Sequence, residues 1–576
     1  MKKTGAALAR FALEQLGVRY TFGIPGVHNT ELYDELNSSE QIQPVLVTHE
    51  CGGAFMADAI SRTGDSIGTL LIVPAAGVTH ASSGIGEAYL AGIPMLVISG
   101  GIHTESGHRY QLHEMDQHRL LSPITKGSFH IKSHSEVIPA LYAAYQLAMN
   151  GEPGPVFVEL PYNIGNFLGE VDTMPSFAGL QPQTTFDHVL VKQAAELLTQ
   201  AKQVGFFLGW GAVDCQAELI ELAQLLNAPV ATTLQGLSAF PGNHPLHTGM
   251  GFGGYSVPAG QKAFAQCDAV LAIGTRFAEI PTGSFSMQVP EDLVHIDINP
   301  QVFSANYPAK VAIEGDARAI VPALLSEVRA LQRQAQEGAM AQQIKQDKAA
   351  YQQQWLAHKS GDRVNPAQFF QALRAQLSDD CIVVADDGNH TYLVAELLPI
   401  LGARNYISPT DFNAMGYCVP AVIGAKFANP QRAVIGIVGD GALLMTGMEM
   451  LTAVRHKLGV VVFIFNDGEL SQIAQAQQIP YNRKTCTVLH GINMQALAAT
   501  VGAQFVSIQS EADIETGIRQ ALQFAANNQP VYVDVNIDYS KRTRFTQGIV
   551  KATLKRFKPR DKVRVISRAL IRKVTG

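Results

Sequence analysis

Paired cysteines are missing from this chain. Its six cysteines (51, 215, 267, 381, 418 and 486) are scattered, with no CxxC among them. That removes the usual signatures of a thiolate zinc site or a dithiol redox centre, and it reads as thiols kept in a reducing compartment. Long apolar runs are missing as well. Prolines, glycines and polar residues break every stretch before it reaches 18 uncharged apolar residues, so no membrane-spanning helix is expected. The opening residues MKKTGAALARFALEQLG carry two lysines but no long apolar centre, because Arg10 and Glu14 interrupt it. They read as a first amphipathic helix ended by Gly17 rather than a secretory signal. A cytoplasmic location is the resulting expectation.

Charge is modest at 16% of residues, and the net value of −6 is unevenly spread. From Lys541 to the end there are 13 basic residues and a single acid, Asp561, a balance of +12 that leaves about −18 on the remainder. At 576 residues and 47% hydrophobic, the chain exceeds one core and suggests about three globular domains of 150–200 residues. The expected divisions are 1–165, 188–330 and 365–545, followed by a basic tail, 546–576.

The first third alternates elements. Helices are expected at Thr4–Leu16, Thr30–Asn37, Glu50–Arg62, Val78–Ala91 and Glu136–Met149. Strands are expected at Arg19–Phe22, Val45–Thr48, Thr69–Val73, Met95–Ser99 and Val156–Leu160. Continuous apolar strands separated by helices predict doubly wound parallel sheets, an α/β class. Asn166–Asp187 reads as a linker. The second domain has expected strands at Val204–Leu208, Val230–Thr232, Ala269–Gly274 and Leu293–Ile298 and a helix at Ala217–Leu226, and Gln332–Gln354 reads as a bridging helix. The third has strands at Ile382–Ala385, Val434–Val438, Val460–Phe465 and Val531–Val535. The first and third domains share a rhythm that suggests duplication, without a residue-level repeat.

Chemistry concentrates at two strand ends of the third domain. The strand Val434–Val438 runs into Gly439-Asp440-Gly441, and Val460–Phe465 runs into Asn466-Asp467-Gly468. In a parallel βαβ unit such carboxyl ends lie side by side at the sheet edge where ligands bind. Hard oxygen ligands there suit Mg²⁺ shared with phosphates, and the glycines allow close backbone approach to them. Gly-Asp-Gly alone is common in turns; joined to Asn-Asp-Gly at this spacing it is specific.

The stretch resembles the cofactor and metal motif of thiamine diphosphate-dependent 2-oxo acid decarboxylases and carboligases, above all acetolactate synthase large subunits. The resemblance runs from residue 1 to about 545 in the order pyrimidine-binding, middle and diphosphate-binding domain. It implies that Gly439, Asp440, Gly441 and Ala442 hold thiamine diphosphate. It also implies that Asp440, Asp467 and the backbone carbonyl of Glu469 hold Mg²⁺. Many relatives have Asn-Asn where this chain has Asn466-Asp467. His49-Glu50-Cys51-Gly52-Gly53-Ala54-Phe55-Met56-Ala57-Asp58 resembles the segment whose glutamate hydrogen-bonds the cofactor's aminopyrimidine. Judged alone, Glu50 is a first-turn acid favoured by the helix dipole; beside the Asp440 motif it becomes the expected catalytic residue, a carboxyl able to share a proton with a ring nitrogen. Gly23-Ile24-Pro25-Gly26 resembles the family's early loop, placing Gly26 at the cofactor, and Gly388-Asn389-His390 its first diphosphate loop. Ala414-Met415-Gly416 resembles the segment whose bulky apolar residue wedges the cofactor into its bent shape. Elsewhere methionine is usually core filler. Because that glutamate usually reaches its cofactor across a subunit interface, a homodimer or homotetramer is implied.

Substrate residues are less legible. His28 and His113 match positions facing the reacting centre, against the plain alternative of hydrogen-bonded surface histidines, and Gln472 follows the metal motif where relatives line the pocket. His103, His108, His113 and His118 recur every five residues; on a helix neighbours would stand roughly 140° apart, which argues against a zinc pair. A small 2-oxo acid is the implied substrate, pyruvate by default. GIPGVHNTELY also resembles decarboxylases of guanidino-type 2-oxo acids, and a fold-retaining, non-catalytic or membrane-associated relative is the third reading. No nucleic-acid partner is expected. Gly209-Trp210-Gly211 is a weak nucleotide signal, and Arg276-Phe277-Ala278-Glu279-Ile280 stands where flavin-containing synthases carry an RFDDR-like run, so bound FAD is not expected. In Asp561–Val574, Val563, Ile566, Leu570 and Val574 share one helical face and Arg564, Arg568 and Arg572 another. Such a helix can lie on an anionic membrane or dock on the acidic body as a lid; peripheral membrane contact is the less favoured of the two.

Overall fold

The computed structural model describes residues 1–181, 184–331, 338–548 and 556–575. Three six-stranded sheets organise it, each parallel throughout, with helices on both faces. In the first, the strands Tyr20–Gly23, Gln43–Leu46, Gly68–Ile72, Met95–Gly101, Ser128–His130 and Pro155–Pro161 lie in the order second, first, third, fourth, sixth, fifth. The third sheet has the same order, built from Ile382–Ala385, Tyr406–Ile407, Val434–Gly439, Val461–Asn466, Gln504–Ile508 and Val531–Asn536. The middle sheet differs. Its strands Val204–Leu208, Val230–Thr232, His247–Met250, Ala269–Ile273, Asp292–Asp297 and Val311–Glu314 run third, second, first, fourth, fifth, sixth.

The central strands are apolar along their whole length because helices cover both faces. Gly68–Ile72 and Met95–Gly101 are buried at every position, and Val461–Phe465 likewise. Short or half-polar strands escaped the sequence pattern: Ser128–His130 alternates exposure, and His247–Met250 reads HTGM. Part of the expected linker is also ordered. Leu168–Glu170 pairs antiparallel with Lys2–Thr4, fastening the start of the chain to the end of the first unit. The bridging helix spans Ala339–Leu356; the 332–337 part of that expectation lies outside the described residues, as do 182–183 of the linker and 549–555 and 576 of the tail.

The first and third units pack through two helices, Glu50–Thr63 and Cys418–Ala428. Gly424 makes the approach possible, since a Cβ there would stand 2.3 Å from the Met56 carbonyl oxygen. The seam also carries a fully buried charge cluster. The Arg62 guanidinium donates to Asp58 at 2.7 Å and lies 3.9 Å from Glu87, while the Tyr417 hydroxyl donates to Asp58 at 2.5 Å. A buried ion group tolerates no loss of one partner, so this cluster fixes the register between the two units.

Candidate active site

The third-unit strand ends form one cleft. It is lined by Asp387, Gly388, Asn389, His390, Met415, Gly439–Ala442, Phe465, Asp467, Glu469–Ile473 and Tyr539. Eleven residues read from the sequence as cofactor, metal or substrate contacts therefore meet here: Gly388, Asn389, His390, Met415, Gly439, Asp440, Gly441, Ala442, Asp467, Glu469 and Gln472. Asp440 opens the short helix Asp440–Thr446 and is buried; its carboxylate accepts from Gly441 N and Gly468 N, both at 2.8 Å. Those two bonds tie one strand end to the other. Burial, and then the neighbouring Asp467 carboxylate, push Asp440 up to about 6, against backbone bonds from Gly468, Gly441 and Asp467. Burial likewise raises Asp467, whose carboxylate accepts from the Ser471 hydroxyl. The Asn466 amide points away and donates to Asp534 at 3.0 Å. The Glu469 side chain turns to Lys484, leaving its backbone to the cleft.

Around the two carboxylates sit polar atoms without partners among the described residues: Asn389 Nδ2, His390 Nε2, Gln472 Oε1 and the Tyr539 hydroxyl. Buried polar groups are normally satisfied, so this set marks a place built for a polar ligand. Burial drives His390 down to about 3, keeping its imidazole neutral. Gly388 is the N-cap of the helix Asn389–Leu397, with φ of 153°, and a Cβ there would stand 2.6 Å from His390 Cε1. Two hard carboxylates, a backbone carbonyl and amide and imidazole donors beside a helix start fit a diphosphate carrying a divalent ion.

Sequence reading missed Asp386, which shapes this cleft from beneath. It follows the strand Ile382–Ala385, is fully buried, and accepts from Asp387 N and Gly416 N at 2.9 Å and from Cys418 N at 2.8 Å. The half-buried Met415 is held at the cleft wall because the backbone just after it is clamped this way. Burial outweighs the three bonds and pushes Asp386 up to about 7. An acid ending a fully apolar strand was the available signal. Tyr539 and Ser471 were also unread.

A second group lies at the carboxyl edge of the first sheet, and none of its residues lines the cleft of the same chain. Glu50 opens the helix Glu50–Thr63 and is buried, with His80 Nδ1 3.0 Å from its carboxylate. The His80 ring stacks on His49 at 4.8 Å. Gly26 N donates to Asn29 Oδ1 at 2.8 Å, shaping the loop that carries His28. The His28 and His113 rings come within 5.1 Å, and the Nδ1 of each is buried with no partner among the described residues. Burial, then His113, lowers the His28 pKa. The histidines spaced every five residues do not ride a helix. Residues 102–116 form turns, His113 has φ of 66°, and only Gln117–Leu121 is helical.

In the middle unit, Gly209 and Gly211 serve close packing: a Cβ on Gly209 would lie 2.0 Å from the Gly274 carbonyl oxygen. A cavity opens beside them, and Arg276 within it is engaged by Asp411 at 2.8 Å, by Glu152 at 3.5 Å and by the Leu90 carbonyl. The tail helix Pro559–Thr575 lies on the helix Ser471–Tyr481, whose start lines the cleft. Arg568 and Arg572 each stand 5.7 Å from the Tyr481 ring, while Val563, Ile566, Leu570 and Val574 face outward, exposed.

Three family models match the chain in order. Thiamine pyrophosphate enzyme, N-terminal TPP binding domain, covers residues 2–120; the central domain covers 191–324; the C-terminal TPP binding domain covers 386–535. The acetolactate synthase isozyme 3 large subunit of Escherichia coli (strain K12) is 31% identical over 553 residues, spanning 93% of this chain and 95% of that protein. The acetolactate synthase large subunit of Haemophilus influenzae is 29% identical, spanning 94% and 96%. The probable acetolactate synthase large subunit of Methanocaldococcus jannaschii is 30% identical, spanning 93% and 92%.

Proposed function

Because this chain belongs to the thiamine pyrophosphate enzymes and is acetolactate synthase-like over most of its length, we propose that it decarboxylates a 2-oxo acid, pyruvate by default, and ligates the remaining fragment to an acceptor, with Mg²⁺ as well as thiamine diphosphate. The observation that carries this is the third-unit cleft, where Asp440 and Asp467 face unpartnered Asn389 Nδ2 and His390 Nε2. In this reading Asp440, Asp467 and the Glu469 carbonyl hold the metal. Asn389, His390 and the Gly439–Ala442 backbone bind the diphosphate, and Met415, clamped through Asp386, sets the cofactor's bend. The bound cofactor supplies the electron sink that accepts the pair left when carbon dioxide departs. Glu50 holds the proton shared with the aminopyrimidine, and His80 at 3.0 Å orients its carboxylate. His28 and His113, with Gly26 shaping their loop, face the substrate carboxylate or relay its proton, and Gln472 contacts it from the other side.

Since no first-unit residue lines the cleft, the reading requires a second copy to bring Glu50 to Asp440, making a homodimer or a homotetramer. The domains are taken as 1–165, 188–330 and 365–545 with a 546–576 tail. The middle domain is read as flavin-free, since Arg276 is already paired and the glycines beside it serve packing. The tail is read as docked on Ser471–Tyr481. Among the described residues no helix is long and apolar enough to cross a membrane, and peripheral lipid contact through the outward stripe is the alternative that co-sedimentation with anionic vesicles tests. The location is read as cytoplasmic, and no nucleic-acid partner is proposed.

The test is purified protein with thiamine diphosphate, Mg²⁺ and pyruvate, with products assigned by NMR. Acetolactate is the expected product. Acetaldehyde alone would make it a simple decarboxylase, and no turnover with pyruvate would redirect the search to larger 2-oxo acids, guanidino ones first. A colourless preparation is expected; visible flavin absorbance would overturn the flavin-free reading.

A further inference from the structure

Away from every group used above, the edge of the first sheet gathers two imidazoles and a carboxylate. His118 comes from the helix Gln117–Leu121, His130 from the end of the edge strand Ser128–His130, and Glu159 from the neighbouring strand Pro155–Pro161, in direct register with His130. His118 Nε2 lies 3.1 Å from Glu159 Oε2, His130 Nδ1 lies 3.6 Å from Glu159 Oε1, and the two ring nitrogens are 3.3 Å apart. Ligands held about 2.1 Å from one zinc ion stand about 3.4 Å apart around a tetrahedron. The two ring nitrogens, and each ring nitrogen with the Glu159 oxygen nearest it, are therefore already near the separation that a shared ion imposes, and one ligand atom from each residue lies within 4.8 Å of the others.

Its surroundings are those of a held ligand set. Glu159 is buried, and Gln117, also buried, donates to Glu159 Oε2 at 3.1 Å and to the Gly100 carbonyl at 3.3 Å, while its own carbonyl accepts from Ser99 Oγ at 3.0 Å. Such an outer partner fixes which way a metal-binding carboxylate points. The Phe157 ring meets His118 edge-on at 5.1 Å and limits its rotation. The histidines remain partly open, at 27% and 37% exposure, so an ion can enter from solvent and keep one position for water. The His49, Glu50 and His80 group has a similar composition, but its Glu50 belongs to the cofactor site, and His49 Nδ1 already accepts from Cys51 N.

We propose that His118, His130 and Glu159 form a zinc site, three protein ligands with an open fourth position, which fastens the edge strand to the helix after the His113 loop. Two imidazoles with one carboxylate suit Zn²⁺ over the hard cation proposed for Asp440. The inference is independent of the proposed substrate.

The test uses full-length protein stripped with chelator and reloaded with thiamine diphosphate and excess Mg²⁺, so that the Asp440 site is filled. Co²⁺ is then titrated by visible absorption and Zn²⁺ by calorimetry. The wild type and His490→Ala, an exposed histidine elsewhere, are expected to take one equivalent per chain, with ligand-field bands of a low-coordinate ion. Gln117→Ala should bind about 10–100-fold more weakly, and His118→Ala and His130→Ala more weakly still. Zinc should raise the thermal midpoint of the wild type and leave the two histidine variants unmoved. His130→Gln replaces any variant whose circular dichroism shows unfolding. Absence of the stoichiometric equivalent in the wild type, or unchanged binding in the histidine variants, overturns the site.

Discussion

The first and third units share one strand order and present the same sheet edge, yet they carry opposite chemical equipment. The third offers paired carboxylates, Asp440 and Asp467, with unpartnered donors Asn389 and His390. The first offers the Glu50 carboxylate beside the His80 imidazole, and the imidazoles of His28 and His113 beside each other. Topology thus fixes where each set stands, while the residues after the strands decide what it does. On the proposed reading, one unit grips metal and diphosphate and the other moves protons.

Separating these tasks by substitution gives the largest expected effect. Glu50→Gln should lower turnover by about 10²–10⁴-fold with cofactor affinity retained, read by steady-state kinetics beside calorimetry. Asp440→Ala should invert that pattern, abolishing Mg²⁺-dependent cofactor retention on gel filtration while leaving the circular dichroism spectrum unchanged. If both variants lose affinity and turnover equally, the division of labour fails.

The next effect concerns Asp386. Burial raises its folded pKa from 3.8 to about 7, so the folded state binds more protons than the unfolded chain between those values. Stability contributed this way is present at low pH and declines as pH rises toward 7. Asp386→Asn should flatten that part of the profile in denaturant titrations at several pH values, and it should also raise the KM for the cofactor through the loosened Met415 segment. A profile identical to wild type would remove Asp386 from the account. Smallest is the histidine pair: His28→Ala or His113→Ala is expected to change kcat/KM for the 2-oxo acid by about tenfold, roughly 1.4 kcal/mol, without altering cofactor affinity. An unchanged kcat/KM in both would return them to plain surface histidines.

How much was legible in the sequence follows the same division. The third-unit cleft was readable because its chemistry sits in contiguous runs directly after two apolar strands, Gly439–Ala442 and Asn466–Glu469. Central strands such as Val204–Leu208 and Ile382–Ala385 were readable because full burial leaves no polar interruption. The meeting of His28 with His113 is a different matter, since two turn-rich loops far apart in the chain have no periodicity to align them. Asp386 hid because its partners, Gly416 and Cys418, lie about thirty residues on and are engaged only through their backbone. The five-residue histidine spacing argues only against a helical zinc pair; the segment instead forms turns with a positive φ at His113, and spacing alone could not show that His118 faces His130 and Glu159.

The central claim is that the two halves of the site come from different chains. Its most direct test is to co-express Glu50→Gln and Asp440→Ala chains, each inactive alone, with different tags and to assay the doubly purified hybrid. A shared site leaves one intact cleft per hybrid, so an unselected equal mixture should recover about a quarter of wild-type activity and the purified hybrid about half. A hybrid as inactive as its parents would place Glu50 and Asp440 within one chain and contradict the account.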